Sequence, residues 1–262
     1  MGKAMEIITG RVTNASTYTG VTMATNDSNT VRNFQQGTAA YFVDAWALGA
    51  TKGNIRIKSP KLHDNVQGIK SSFAAATPVP LFTGYQKELL YPQDLLTIEM
   101  IDAGTETDML SMLMYYENLP GGDAQLFDWA TIQPQIVHIM GTEVDMTTGG
   151  TAGDYGGATA INATFNQFKA NTRYAILGYN TDTALLSVGV RSSDFANYRI
   201  GGPGTNNKIE TRDWFTRLSV DTGLPTVPVF NSANASGTLV DVVHNATGTA
   251  VTVTFICAEL SS

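Results

Sequence analysis

The chain has 262 residues, enough for one large β domain or two smaller ones with a hydrophobic core in either case. Apolar residues make up 43% and charged residues only 15%, a low charge for a globular protein, and one that suits a chain burying extra surface in its neighbours. The net charge is −7, with 9 basic and 11 acidic residues up to Gly122 and 7 and 12 after it; neither part has the basic excess of a general nucleic-acid binder, the single Cys257 excludes an internal disulfide framework, and no apolar run is long enough for a membrane-spanning helix.

Strand signals recur along the whole chain. Ile7–Val12, Thr17–Met23, Ala40–Trp46, Asn54–Lys58, Leu95–Ile101 and Met109–Tyr116 alternate apolar and polar residues or are rich in β-branched and aromatic types. The same holds for Gln135–Met140, Ala158–Phe165, Tyr174–Tyr179, Leu185–Arg191, Leu239–His244 and Val251–Cys257. Turn clusters such as Asn26–Asn29, Ala103–Thr105 and Asn245–Gly248 separate them, the signature of a sandwich or barrel. Two short helices are expected: Asp123 as cap for Ala124–Thr131, and Thr211 as cap for Arg212–Leu218. The glycine-rich segments Gly149–Gly157 and Gly201–Gly204 read as flexible loops. The run to Lys208 lacks the Gly-Lys-Ser/Thr ending of a phosphate-binding loop.

An internal repeat organises these strands. Tyr41–Asp64 lies over Tyr174–Asn197 at an offset of 133, matching Val43 with Ile176, Trp46 with Tyr179, Ile55 with Val188, Ile57 with Val190 and Lys58 with Arg191. Leu96–Leu119 lies over Gly237–Leu260 at an offset of 141, matching Ile98 with Leu239, Leu110 with Val251, Met112 with Val253 and Met114 with Phe255. Upstream, Val79-Pro-Leu-Phe82 echoes Val227-Pro-Val-Phe230. The blocks keep one order in both halves, as a duplication would. The expected fold is all-β: two tandem eight-stranded jelly-roll β-sandwich domains, residues 1–122 and 123–262, with one or two short helices.

Catalytic and metal constellations fail on spacing. His63, His138 and His244 have no metal-ligand spacing, and the clustered His and Glu of a metal-binding jelly roll are missing. Gly-x-Ser-x-Gly is absent, and Cys257, within Val251–Cys257, reads as an inert core thiol. Asp102, Glu106 and Asp108 fit a solvated turn better than a calcium loop. The sequons at Asn14, Asn26, Asn162, Asn234 and Asn245 are ascribed to composition, because Met1–Glu6 offers no secretory signal. The sequence therefore assigns no catalytic residue, cofactor, metal or small-molecule substrate. One local cluster, Lys52, Arg56, Lys58, Lys61 and Lys70, reads first as a solvated strand face and second as a contact for genome phosphate or an internal membrane.

Two similar jelly rolls in tandem within one chain resemble the double jelly-roll major capsid proteins of tailless icosahedral viruses and phages. The resemblance is one of pattern over most of the chain, without a signature motif. It implies a non-enzymatic virion protein made in the host cytoplasm. It further implies a homotrimer of six jelly rolls, a pseudo-hexagonal tile contacting neighbouring capsomers and other virion proteins. A second reading is a carbohydrate- or receptor-binding β-sandwich protein, lectin-like or a phage decoration protein, with Trp46, Tyr85, Tyr155 or Tyr198 stacking on sugar rings; for Trp46 core packing is the stronger expectation. A β-sandwich hydrolase with paired carboxylates ranks last.

Overall fold

The computed structural model describes residues 2–13, 16–31, 37–49, 52–61, 68–74, 78, 80–81, 88–102, 107–121, 123–205 and 211–261. In chain order the first strands are β1 (Ala4–Thr13), β2 (Thr19–Gly20), β3 (Thr22–Met23), β4 (Ala39–Leu48), β5 (Gly53–Lys58), β6 (Ile69–Phe73), β7 (Glu88–Leu90), β8 (Thr97–Asp102) and β9 (Thr107–Glu117). They are followed by β10 (Leu126–Phe127), helix α1 (Trp129–Ile132), β11 (Ile136–Thr147), β12 (Tyr155–Ala160), β13 (Arg173–Thr181), β14 (Leu185–Arg191) and β15 (Ile200–Gly204). Helix α2 (Trp214–Thr222), β16 (Val227–Asn231), β17 (Leu239–Val243) and β18 (Ala250–Leu260) follow.

The strands form four antiparallel sheets, ordered β3-β1-β9-β4-β7, β2-β8-β5-β6, β10-β16-β13-β18-β11 and β12-β17-β14-β15. Among the described residues, no sheet mixes β1–β9 with β10–β18. With the short edge strands β3 and β10 set aside, each half contributes eight strands. Both halves order them alike: first, eighth, third and sixth in one sheet; second, seventh, fourth and fifth in the other. This is jelly-roll topology twice over. The fold is all-β, and its two halves share one strand plan.

The sheets stack in four layers. Ile8, Phe42, Met112 and Met114 point from the β1-β9-β4 sheet toward Ile55, Ile57, Ile98 and Met100 of its own partner sheet. The opposite face carries Met5, Ile7, Trp46, Leu113 and Tyr115, which join one core with residues of the second half. β9 is consequently buried from Asp108 to Tyr116 without a break. A one-sided antiparallel sheet would alternate buried and exposed positions; this one is covered on both faces. Farther out, α1 lays Ile132 on Ala175, Leu177, Val227 and Val229 of the β13–β16 sheet.

Several sequence expectations change here. Gly201–Gly204 is no flexible loop but the buried strand β15, and Tyr155–Gly157 belong to β12. A Cβ on Gly201 would lie 2.2 Å from the Val188 carbonyl oxygen and 2.9 Å from Ile7, so the strand needs glycine to sit that close. The first expected helix shrinks to α1, because Leu126–Phe127 pair with Val227–Pro228; the cap is Asp128, not Asp123, accepting from the Thr131 N–H. The second helix runs Trp214–Thr222 and ends on Gly223 in the left-handed region, with Asp213 rather than Thr211 at its N-cap. Asp108 is buried in β9 rather than placed in a solvated turn. Pro80 and Leu81 are not in a strand, whereas Val227–Phe230 lie in β16. His63, Tyr85, Glu106, Val79, Phe82 and Asn14 lie outside the described residues.

The repeat is also shifted. Ile55/Val188 and Ile57/Val190 face their own cores, as do Leu110/Val251 and Met114/Phe255. Val43 and Trp46, however, face the other half, whereas Ile176 and Tyr179 face their own sandwich with Phe255. Phe42 stands opposite Met114 as Tyr179 stands opposite Phe255, so strand register sets Phe42, not Trp46, against Tyr179. β4 and β13 each carry a register shift, at Phe42/Asp44 and Ile176/Gly178. A one-residue slip separates Ile98, opposite Ile57, from Leu239, opposite Arg191; Val240 is its counterpart.

Phe255 is fully buried, its ring centroid 5.9 Å from that of Tyr179. Phe255→Asp places an unpaired carboxylate there and is expected to abolish soluble folded protein, whereas Phe255→Leu remains soluble with native circular dichroism.

Candidate functional site

Among the described residues, no three His, Cys, Asp or Glu side chains come together as a metal site requires. His138 is exposed on β11, and His244 Nδ1 accepts from the Ala246 N–H at 2.9 Å. Cys257 is fully buried, and burial pushes its thiol up to about 12, far from the thiolate form that chemistry needs. No described helix is long and apolar enough to cross a membrane. The densest polar chemistry lies instead between the halves.

There a chain of buried polar groups crosses the packed sheets. The Trp46 indole N–H donates to Ser187 Oγ at 2.9 Å, and Ser187 Oγ lies 2.7 Å from Ser111 Oγ. Ser111 continues to Thr9 at 2.7 Å, and Thr9 to the Tyr155 hydroxyl at 2.9 Å. That hydroxyl donates to Asp27 Oδ2 at 2.9 Å, and the Thr9 N–H donates to the same oxygen at 2.6 Å. Arg199 reaches Asp27 Oδ1 at 3.4 Å and Asp241 Oδ2 at 3.2 Å, while its guanidinium stacks 3.5 Å over the Tyr155 ring. Arg191 closes the row on Asp241 Oδ2 at 2.7 Å. Thr9, Asp27, Trp46 and Ser111 come from the first half; Tyr155, Ser187, Arg191, Arg199 and Asp241 come from the second. The Ile7 N–H also donates to the Arg199 carbonyl oxygen at 2.9 Å, a backbone bond across the same line.

The elements explain why the line can close. β14 and β15 present Ser187, Gly189 and Gly201 toward the first half; a Cβ on Gly189 would stand 2.7 Å from Arg199 and 3.3 Å from Ile7. Small residues let the sheets approach, and hydroxyls satisfy the buried indole N–H. Trp46 meets Trp214 edge to face at 5.9 Å. Two clefts flank Arg199: one of 470 Å³ lined by Glu6, Asp27, Arg191 and Tyr198, the other of 350 Å³ lined by Asp154, Tyr155 and Asp241. Burial raises the Asp27 carboxyl from 3.8 to about 6; Thr9, Tyr155 and Arg199 oppose that rise and Glu6 adds to it.

The sequence singled out none of Asp27, Arg199 or Thr9, and weighed Tyr155 only as a sugar platform. Trp46 is fully buried and offers no free stacking face, whereas Tyr198 is half-buried against the first core and lines the 470 Å³ cleft. The basic cluster lies around the outer face of the β2-β8-β5-β6 sheet. Two of its cations are held by one acid: Arg56 to Glu99 Oε2 at 2.5 Å and Lys58 to Oε1 at 3.3 Å. This repeats the Arg191–Asp241 pair at the matching place in the second half, since Glu99 sits opposite Arg56 as Asp241 sits opposite Gly189.

The sequence matches no protein-family model and no curated protein. Among solved structures the chain is similar to the PBSX exported protein XepA, at 10% identity over 94% of this chain and 86% of that one, with a TM-score of 0.20. It is similar to the major capsid protein P2 of bacteriophage PM2, at 7% identity over 99% and 98% and a TM-score of 0.21. It is also similar to the STIV MCP, at 8% identity over 99% and 97% and a TM-score of 0.19. At these TM-scores the similarities carry no functional argument.

Ser187→Ala leaves the buried Trp46 N–H without its acceptor and is expected to cost about 1–3 kcal/mol in chemical denaturation. The Asp27 sign is opposite to that of a salt-bridged carboxylate. Its folded pKa lies above its unfolded one, so the native state binds the proton more tightly between about pH 4 and 6. Its contribution is expected to rise as pH falls from 7 to 5. Thermal melts should show that rise in the native chain and a flatter profile in Asp27→Asn.

Proposed function

We propose that this chain is a structural virion protein, a capsid building block without enzymatic activity, that self-assembles into a shell. The observation that carries the reading is the doubled jelly roll: one strand order occurs twice, and the two copies are fixed face to face through a shared core and a polar line. We take residues 1–122 and 123–262 as the two units. A rigid pair of like units supplies two similar edges of a tile. Three chains then supply six units, and the homotrimer packs with neighbouring capsomers and other virion proteins into an icosahedral shell. The Lys52–Lys70 stretch is a less favoured contact for genome or membrane, since Glu99 already holds two of its cations.

The competing reading, a sugar- or receptor-binding module, has the clefts beside Arg199 in its favour. Light scattering on purified protein separates the two. The capsid reading expects a mass three times that of the 28.0 kDa chain, or a multiple of it. A monomer at every concentration that binds a glycan array overturns it.

A further inference from the structure

We propose that the face formed by β11 and β18 of one copy docks on the face formed by β5, β6 and β8 of a second copy, repeating between chains the contact that the halves make within one. The inference rests on the reading of the chain as a self-assembling subunit and names the surfaces through which it assembles.

The contact within the chain is head-to-tail. It joins the outer face of β1, β9 and β4 in the first half to the outer face of β14, β15 and β17 in the second. Each half therefore has one face used and one of the opposite kind left over. Strand pairing identifies the leftovers. Gly141, Glu143 and Asp145 pair with Ile256, Thr254 and Thr252 as Met5, Ile7 and Thr9 pair with Tyr115, Leu113 and Ser111. The first-half set is wholly buried, whereas Glu143 and Asp145 are exposed and Thr252, Thr254 and Ile256 are half-buried. Beside them Val137, Ile139 and Phe165 are 63, 54 and 50% exposed. Among the described residues, β11 pairs only with β18 and ends its sheet. Long edge strands with exposed apolar side chains are open to pairing and docking.

On the receiving side Asn54, Arg56, Lys70 and Glu99 occupy the places of Ser187, Gly189, Gly201 and Asp241. The two leftover faces are complementary in charge. Glu143 and Asp145 mark one; Lys52, Arg56, Lys58 and Lys70 mark the other, with Glu99 as the acid between them. Within the chain the sense is the same: Asp27 of the first half meets Arg199 on the receiving face. A heterologous contact of this kind closes into a ring when its rotation permits, and a second copy of this chain is the occupant that fits.

Two exposed double variants test it: Ile139→Lys with Glu143→Lys on the docking face, and Lys52→Glu with Lys70→Glu on the receiving face. Both should keep the native melting profile. Each alone is expected to lose assembly in light scattering. Mixed in equal amounts they should associate again, because each retains the face that the other lacks and the two reversed faces are themselves opposite in charge. If either variant assembles like the native chain, or the mixture stays monomeric, the assigned faces are wrong while the capsid reading stands. If the native chain itself never assembles, the capsid reading fails and this inference with it.

Discussion

The structure depends on one contact: the outer face of the β1-β9-β4 sheet buried against the small-residue face of β14 and β15. Met5, Ile7, Trp46, Leu113 and Tyr115 would otherwise present a broad apolar surface to water. Full burial of an aliphatic side chain of this size is worth about 1.5–3 kcal/mol, so this face is a large part of what makes the two sandwiches one body. The close approach needs Gly189 and Gly201, and the polar atoms trapped by it need Ser187, Ser111 and Thr9. Hydrophobic burial supplies the attraction. The line of hydroxyls and charges, which tolerates little slippage once desolvated, sets the register.

Asp27 gives that register a chemical sensitivity. A carboxyl held by Thr9, Tyr155 and Arg199 would ordinarily be pulled downward, yet burial outweighs all three. Its charge is tolerated at neutral pH rather than favoured. The 470 Å³ cleft is lined by Asp27 itself, so solvent reaches the carboxyl whose burial raises its pKa.

Much of this was legible in the sequence where side chains alternate or branch at Cβ. β1, β5, β8, β9, β14, β17 and β18 announce themselves, and their common order in the two halves announces the duplication. β15 does not: Ile-Gly-Gly-Pro-Gly has the composition of a loop, and it is a strand because Ile7 and Trp214 press on it from outside. The misalignment of β4 with β13 has a physical source as well. β4 is buried on both faces, so no polar side marks its register, and the bulges fall between the matched pairs. That kind of slip hid the most telling repeat. Lys58 matches Arg191 at the offset of 133, but the offset of 141 sets Glu99 against Val240 instead of Asp241 and so hides the two equivalent ion pairs. Asp27 and Arg199 lie 172 positions apart, and no local motif joins them.

The fused pair of like units is therefore the central feature, and its use as a tile is the claim that most needs a direct look. Class averages of the purified particle by electron microscopy provide it. A trimeric tile is expected to show six lobes of similar size around a centre, two from each of three chains. Particles with only two lobes, at concentrations well above those of expression, would contradict it.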